Sequence, residues 1–160
     1  MTTSGVGKPV PFKQRLANRM LGRMIRRGKG PDFLWLLTVQ GRKTGAPYTT
    51  PVAPVRDHGE TWLVSPYGEV SWVRNLRAGR HAELRRGIQR TSYHARELEP
   101  ADATPVLRTY LSMPSARFVR KDFDVTASST DAEIAAEAPR HPVFALTRST
   151  PVIVTNFVGV

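Results

Sequence analysis

Two groups of side chains in this chain have types and spacing suited to chemistry. The first is a tight basic turn, Gly41-Arg42-Lys43-Thr44-Gly45, in which two cations and a hydroxyl sit among backbone N–H groups. Such a turn suits an anion: guanidinium and ammonium groups make charge-assisted hydrogen bonds to phosphate or carboxylate, and clustered N–H groups form a concave seat. The second is Trp72 and Asn75, whose spacing makes them neighbours on one face of a helix. A flat aromatic beside an amide suits a planar heterocycle. An anion seat and a ring seat together describe a cofactor site. Each also has a plainer reading: the turn as a hairpin with exposed charges, Trp72 as the core anchor of its helix, and Asn75 as the partner of a backbone group.

The elements that must position these residues follow from periodicity. Over 11–27, Phe12, Leu16, Met20 and Met24 recur every four residues and Leu21 and Ile25 widen the stripe. Lys13, Arg15, Arg19, Arg23, Arg26 and Arg27 fill much of the rest, and Gly28, Gly30 and Pro31 end the helix. The continuous apolar run FLWLLTV at 33–39 predicts a buried strand. Gly41 and Gly45 permit the positive φ of a hairpin turn, so 48–55 returns as a second strand, with Pro51 and Pro54 marking a bulge or an edge. After a turn at Asp57-His58-Gly59, residues 61–65 form a third strand. Ser71 is placed to cap a short helix through Ala78, closed by Gly79.

Segments 81–85 and 88–98 make another hairpin about Arg86-Gly87. Residues 99–113 form a helix on Val106, Leu107, Tyr110 and Leu111, and 114–129 are irregular. A short helix is expected over 130–138, with Asp131 and Glu133 in its first turn, and closing strands at 143–147 and 152–157. Hairpins with helices inserted rather than alternating predict a mainly β, α+β chain: a small antiparallel barrel with peripheral helices. Residues 1–10, small and broken by Gly and Pro, read as disordered, and 11–160 as a single domain.

Composition narrows the chemistry. The absence of cysteine excludes a disulfide framework, thiolate metal sites and a Cys nucleophile. The N-terminal stretch lacks the apolar core of a signal peptide, and no run of about 18 apolar residues is present to span a membrane. A cytoplasmic protein is expected. Lys and Arg total 24 against 13 Asp and Glu, a formal +11, which favours anionic partners. Nucleic acid is disfavoured, because no recognition motif occurs and the aromatics do not interleave with the basic residues as a stacking platform needs. The basic helix over 11–27 suits peripheral contact with an anionic membrane, or simply a helix packed across the domain with a solvated basic back. His58, His81, His94 and His141 show no paired ligand spacing, so no metal site is expected. Gly22 to Lys29 lacks the spacing of a phosphate loop, the serines sit in no nucleophile elbow, and the acids form no dyad. A cofactor-like site without catalytic machinery of its own suits hydride transfer, where the cofactor carries the chemistry and the protein binds, orients and tunes it.

The order LLTVQGRKTGAPYTTPVAPV, WLVSPYG and SWVRNLRAG resembles the deazaflavin-dependent nitroreductase and quinone reductase family, over about Phe33 to Ala95. That resemblance implies a split β-barrel of the FMN-binding, pyridoxamine-phosphate-oxidase-like kind and an actinobacterial enzyme that uses coenzyme F-420. Hydride would pass from the reduced deazaflavin to a small electron-poor acceptor: a quinone, a nitro compound or an enone. The family pattern maps Arg42, Lys43 and Thr44 with Thr49, Thr50 and Pro51 onto the cofactor's phosphate and oligoglutamate tail. It maps Ser65, Pro66, Tyr67 and Gly68 onto a loop beside the tail or ring, and Trp72 and Asn75 onto the ring itself. Ser65 and Tyr67 are the candidate catalytic residues. Tyr48 and Tyr67 stand where the nitroreductase branch carries basic residues, and Ala138-Pro139-Arg140-His141-Pro142 stands where that branch places substrate-side tyrosines. Relatives of the barrel bind FMN, haem, another tetrapyrrole or a lipid, so FMN is the second cofactor expectation and a non-catalytic binding barrel the second function. A homodimer is a further expectation by analogy.

Overall fold

A chain of hairpins folds on itself where proline and glycine break its strands, and the computed structural model describes this for residues 12–150. The terminal disorder expected over 1–10 and the strand expected over 152–157 lie outside the described residues. Helix α1 (Phe12–Arg26) is followed by β1 (Trp35–Gln40), β2 (Pro47–Val52), β3 (Val55–Asp57) and β4 (Glu60–Val64). Then come α2 (Ser71–Gly79), β5 (His81–Arg86), β6 (Gln89–Glu97), α3 (Pro100–Ser112), α4 (Asp131–Glu137) and β7 (Val143–Arg148). Short 3-10 turns at Pro114–Phe118, Arg120–Asp122 and Ala138–Arg140 join the last helices and lead into β7.

All strand pairs are antiparallel and form one sheet in the order β2-β1-β5-β6-β7-β4-β3. The expected second strand over 48–55 is two strands, broken at Ala53-Pro54. These two strands, consecutive in the chain, occupy opposite edges of the sheet. A flat seven-stranded sheet would hold its edges about 29 Å apart, six spacings of about 4.8 Å. The step from Val52 to Val55 reaches about 11 Å at most. The sheet must therefore curl until its edges approach, joined by chain rather than by a hydrogen-bonded ladder. That is a split barrel. Pro51 is tolerated because β2 is an edge strand, with β1 as its sheet partner.

Alternation along the strands builds two cores. Leu37, Val39, Leu63, Leu84, Phe144 and Leu146 point inward, and α2 adds Trp72, Val73 and Leu76 as a plug among them. Val55, Val64 and Val143 point outward and are covered by α3, α4 and the 3-10 turns. Helix α1 covers the outer face of β1, β2 and β5. Its inward line is Leu21 and the fully buried Ile25, whereas Met20 and Met24 are 61% and 45% exposed. The apolar stripe is thus rotated from the line expected through Met20 and Met24. Gly28 ends α1 with a φ of 74°, donating its N–H to the Ile25 carbonyl while Lys29 donates to Met24. This is the left-handed closure that glycine favours.

Helix α2 starts and stops one residue away from the expected signals. Val70 occupies the N-cap position with no side-chain cap, and Ser71 is the first helical residue. Gly79 ends the helix, but Arg80 takes the left-handed conformation, φ 57°. Its N–H donates to the Leu76 carbonyl and its own carbonyl accepts from Ala95, so it turns the chain straight into β5.

Candidate functional site

The basic turn is a closed hairpin loop between β1 and β2. Gly41 N–H donates to the Ala46 carbonyl at 2.7 Å and Gly45 N–H to the Gly41 carbonyl at 2.8 Å. Gly45 supplies the positive φ (71°), while Gly41 is required for space, since a Cβ there would lie 3.0 Å from the Ala46 carbonyl oxygen. The Thr44 hydroxyl accepts the Ala46 N–H at 3.2 Å, which spends that group on the turn itself.

Asn75 fixes the turn from the other side. Its Oδ1 accepts from the Arg42 backbone N–H at 3.2 Å and from Arg42 Nη1 at 2.9 Å, although the side chain is only 5% exposed. The plainer reading of Asn75, a partner for a backbone group, and its reading as a site residue hold together: the amide orients the guanidinium by holding both ends of Arg42. Lys43 is exposed beside it and makes no ion pair among the described residues. Helix α2 begins four residues before Asn75, about 6 Å along the axis. Its first turn has no side-chain cap, so N–H groups and the positive end of the helix dipole lie about one helical turn from Asn75.

The loop that feeds α2 is tightly held. Ser65 is fully buried, donates its hydroxyl to the Gly68 carbonyl at 2.6 Å and donates its N–H to the Pro142 carbonyl at 2.9 Å. The expectation of a catalytic Ser65 is corrected here: its proton closes the loop and no face of it reaches solvent. Pro66 is half-buried and Tyr67 exposed. Gly68 has a φ of 77°, and a Cβ on it would come within 3.4 Å of the Arg140 carbonyl. Arg77 then staples loop, helix and sheet, donating to Glu69 at 2.6 Å and bidentately to Glu97 at 2.7 Å. Those bonds, to Glu97 first, raise its guanidinium above the usual arginine value.

Trp72 belongs to the barrel core. It is 7% exposed, with its ring centroid 5.9 Å from that of Phe144. The core-anchor reading therefore describes it, and little of the ring is exposed to meet a planar cofactor. Thr49 and Thr50 lie on β2, where the Thr49 hydroxyl pairs with that of Thr38 at 2.9 Å. Arg42, Lys43, Asn75 and the loop at 65–68 thus converge about α2, while Thr49, Thr50 and Pro51 run along the neighbouring edge strand.

The segment 138–142 supports the loop. His141 is buried, with Nε2 2.9 Å from Glu137 Oε1 and its ring stacked on Phe123 at 3.8 Å between centroids. Sequence reasoning missed Asp122, whose Oδ2 is buried without a hydrogen-bond partner, because it falls in a segment with no periodicity. Among the described residues no group of three His, Cys, Asp or Glu could hold a metal. A cavity of about 350 Å³ opens beside the basic turn, between Gly45, Thr38 and His81. A larger one, about 770 Å³, lies at the far mouth, where Arg56 stacks 4.0 Å over Trp35. Neither cavity is lined by Arg42, Lys43, Asn75 or the loop at 65–68, so the turn and α2, not an opening, mark the candidate site.

A family model described as F420H(2)-dependent quinone reductase matches residues 12–138. No curated protein matches the chain. Among solved structures, an F420-H2 dependent reductase (FDR-A) is 21% identical over 72% of this chain and 94% of its own, with a TM-score of 0.52. A domain-swapped dimer is 18% identical over 85% of this chain and 97% of its own, with a TM-score of 0.54. A general-stress-protein-26-related protein of the pyridoxinephosphate oxidase family from Clostridium acetobutylicum is 11% identical over 72% and 75%, with a TM-score of 0.50. At these identities the structural likenesses speak for the fold, and they agree with a curled antiparallel sheet whose edges meet unpaired.

Proposed function

The chain belongs to the F420H(2)-dependent quinone reductase family, and from that premise we propose that it delivers hydride from reduced coenzyme F-420 to a quinone. That it is an oxidoreductase using this deazaflavin follows from the family; the quinone, over a nitro compound or an enone, is our reading. The observation that carries the site is the double hold of Asn75 on Arg42. An arginine fixed by a buried amide is pre-oriented, so less side-chain freedom is lost when it meets an anion.

The residues present fit the cofactor's chemistry. Arg42 and Lys43, with the uncapped N-terminus of α2, make a cationic, donor-rich rim suited to a phosphate and a carboxylate-bearing tail. When bound, the reduced cofactor supplies the hydride; the chain's own part is to hold it and to exclude water from the acceptor side. The Ser65–Gly68 loop, held by the Ser65 hydrogen bonds to Gly68 and Pro142, forms the wall next to α2.

Two further features support a finer reading. Exposed Met20 and Met24 sit among exposed Arg19, Arg23, Arg26 and Arg27 on α1, a face suited to meeting a lipid-borne quinone at an anionic surface from the cytoplasmic side. No described helix is long and apolar enough to cross a membrane. The domain-swapped relative supports dimerisation as the assembly to look for. The deciding experiment is titration of the protein with F-420 and, in parallel, FMN, followed by intrinsic Trp fluorescence. Micromolar or tighter F-420 binding with no comparable FMN binding is expected, whereas binding of neither sinks the reading and turns attention to a lipid or tetrapyrrole carried through purification.

A further inference from the structure

We propose that the far mouth of the barrel is a second small-molecule site, built to take an aromatic carboxylate. It stands apart from the cofactor rim and does not depend on the reductase reading. The cavity there holds about 770 Å³, within the range of ordinary ligand pockets. Trp35 lies on its wall at the start of β1, and the basic turn follows Gln40 at the other end of the same strand. Five residue steps of about 3.3 Å separate those two ends, about 17 Å along the strand.

Strand alternation turns a polar set of side chains into this mouth. Trp35, Thr61 and Arg148 lie two residues from the inward Leu37, Leu63 and Leu146, and Arg56 is inward because Val55 before it faces out. Each arginine lies directly across a ladder from a hydroxyl: Arg56 opposite Thr61 on β4, and Arg148 opposite Tyr93 on β6. Such partners hold their Cβ atoms about 5 Å apart on one face of the sheet. Thr61 and Tyr93 are 9% and 3% exposed, and neither hydroxyl has a hydrogen-bond partner among the described residues. Neither is fully sealed from solvent, so both open to the cavity that they line. Two near-buried hydroxyls, each beside a cation, call for a partner that accepts from all four groups.

Charge decides what that partner is. Arg90 is spent on Glu83 at 2.8 Å, and Asp57 at the rim on His58 at 2.8 Å. Arg56 and Arg148 make no ion pair among the described residues. Arg56 is instead held over the Trp35 ring, with Cζ 4.0 Å from the ring centroid. A guanidinium stacked in this way keeps its N–H edge free for the two oxygens of a carboxylate. Glu60 also lines the cavity and makes no ion pair among the described residues, so it opposes a second negative charge. A monocarboxylate therefore suits the mouth better than phosphate or a polyanion. The Trp35 and Tyr93 rings, with the fully exposed Ile88 at the rim, supply flat and apolar surface for an aromatic body.

The test is calorimetric titration of the full chain, without F-420, with naphthoate. Binding at about 0.1 mM is expected, ordinary for a ligand this small. Naphthalenemethanol, its uncharged counterpart, should bind about tenfold more weakly, and inorganic phosphate should not displace naphthoate. Arg148→Gln should weaken naphthoate about tenfold. Arg148 has no side-chain contact to break among the described hydrogen bonds and ion pairs, so that loss would not report misfolding. Arg56→Gln should weaken it similarly, and Tyr93→Phe, which keeps the ring and removes the hydroxyl, about threefold. Arg42→Gln, at the cofactor rim, should leave the affinity unchanged. No binding to the wild type overturns the proposal, as does equal affinity for naphthalenemethanol or displacement by phosphate. Naphthoate binding that both Arg148→Gln and Arg56→Gln leave intact, or that Arg42→Gln abolishes, also overturns it by placing the carboxylate elsewhere.

Discussion

Trp72 and Asn75, one turn apart on the same helix, separate two kinds of importance. Trp72 lies in the core against Phe144, so Trp72→Ala leaves a cavity and is expected to cost about 3–5 kcal/mol, read as a lowered denaturant midpoint. Trp72→Phe should recover most of that cost and bind F-420 nearly as the wild type does; a selective loss of cofactor affinity at full stability would restore Trp72 to the ring seat. Asn75→Ala removes the acceptor of two Arg42 bonds and should cost about 1–2 kcal/mol of stability. A comparable effect, about tenfold or about 1.4 kcal/mol, is expected on F-420 affinity, because Arg42 is freed to swing. The residue types at Arg42 and Asn75 were visible in the chain. Their contact was not: it joins residues 33 positions apart, and no local rule spans that distance before the barrel curls. Ser65 misled for a related reason. A serine in a candidate loop looks reactive until the Gly68 carbonyl is known to take its proton.

At the scale of elements, hairpins were legible because their turns carry their own chemistry: Gly45 and Gly87 both adopt positive φ where glycine spacing suggested turns. The break of β2 from β3 at Pro54 was half legible. Proline marked an edge, but only the strand order shows that the two pieces take opposite edges. Element ends depended on neighbours. Arg80 holds a left-handed conformation next to Gly79, which is helical, because the chain must enter β5 at once. Arg80→Gly should relieve that strain and stabilise the protein by about 1 kcal/mol in urea unfolding; a loss of stability would show that the arginine side chain matters more than its backbone. Helix α4 begins with a capping box: Thr130 accepts the Glu133 N–H at 3.3 Å and Glu133 accepts the Thr130 N–H at 2.8 Å. Thr130→Ala is expected to cost about 1 kcal/mol. The Thr130 backbone bond, and then its hydroxyl, hold the Glu133 carboxyl below its ordinary value. A lowered carboxyl stabilises above its unfolded value and stops doing so as pH falls through the folded one, so the penalty of Thr130→Ala should shrink in acid.

At the scale of the molecule, closure and charge explain each other's limits. Barrel closure buries α2 and sets Arg42 against it, yet the formal +11 is spread well beyond that one rim. On α1 the exposed Arg19, Arg23, Arg26 and Arg27 border exposed Met20 and Met24, and Ile25 is spent on the barrel. The charge was plain in the sequence; which side of α1 faced outward was not, because methionine and isoleucine are both apolar and packing alone decides between them. If this face meets membrane, vesicles containing anionic phospholipid should sediment with the protein at low salt and zwitterionic vesicles should not. Each of Arg23→Gln and Arg27→Gln should weaken that partition about fivefold, the equivalent of about 1 kcal/mol for one cation near an anionic surface. Raising salt to about 1 M shrinks the screening length to about 3 Å and should release the protein, while apolar contact through Met20 and Met24 alone would hold it. Equal binding to neutral vesicles would assign the interaction to the methionines, and no binding to either would leave the basic side of α1 as a solvated back.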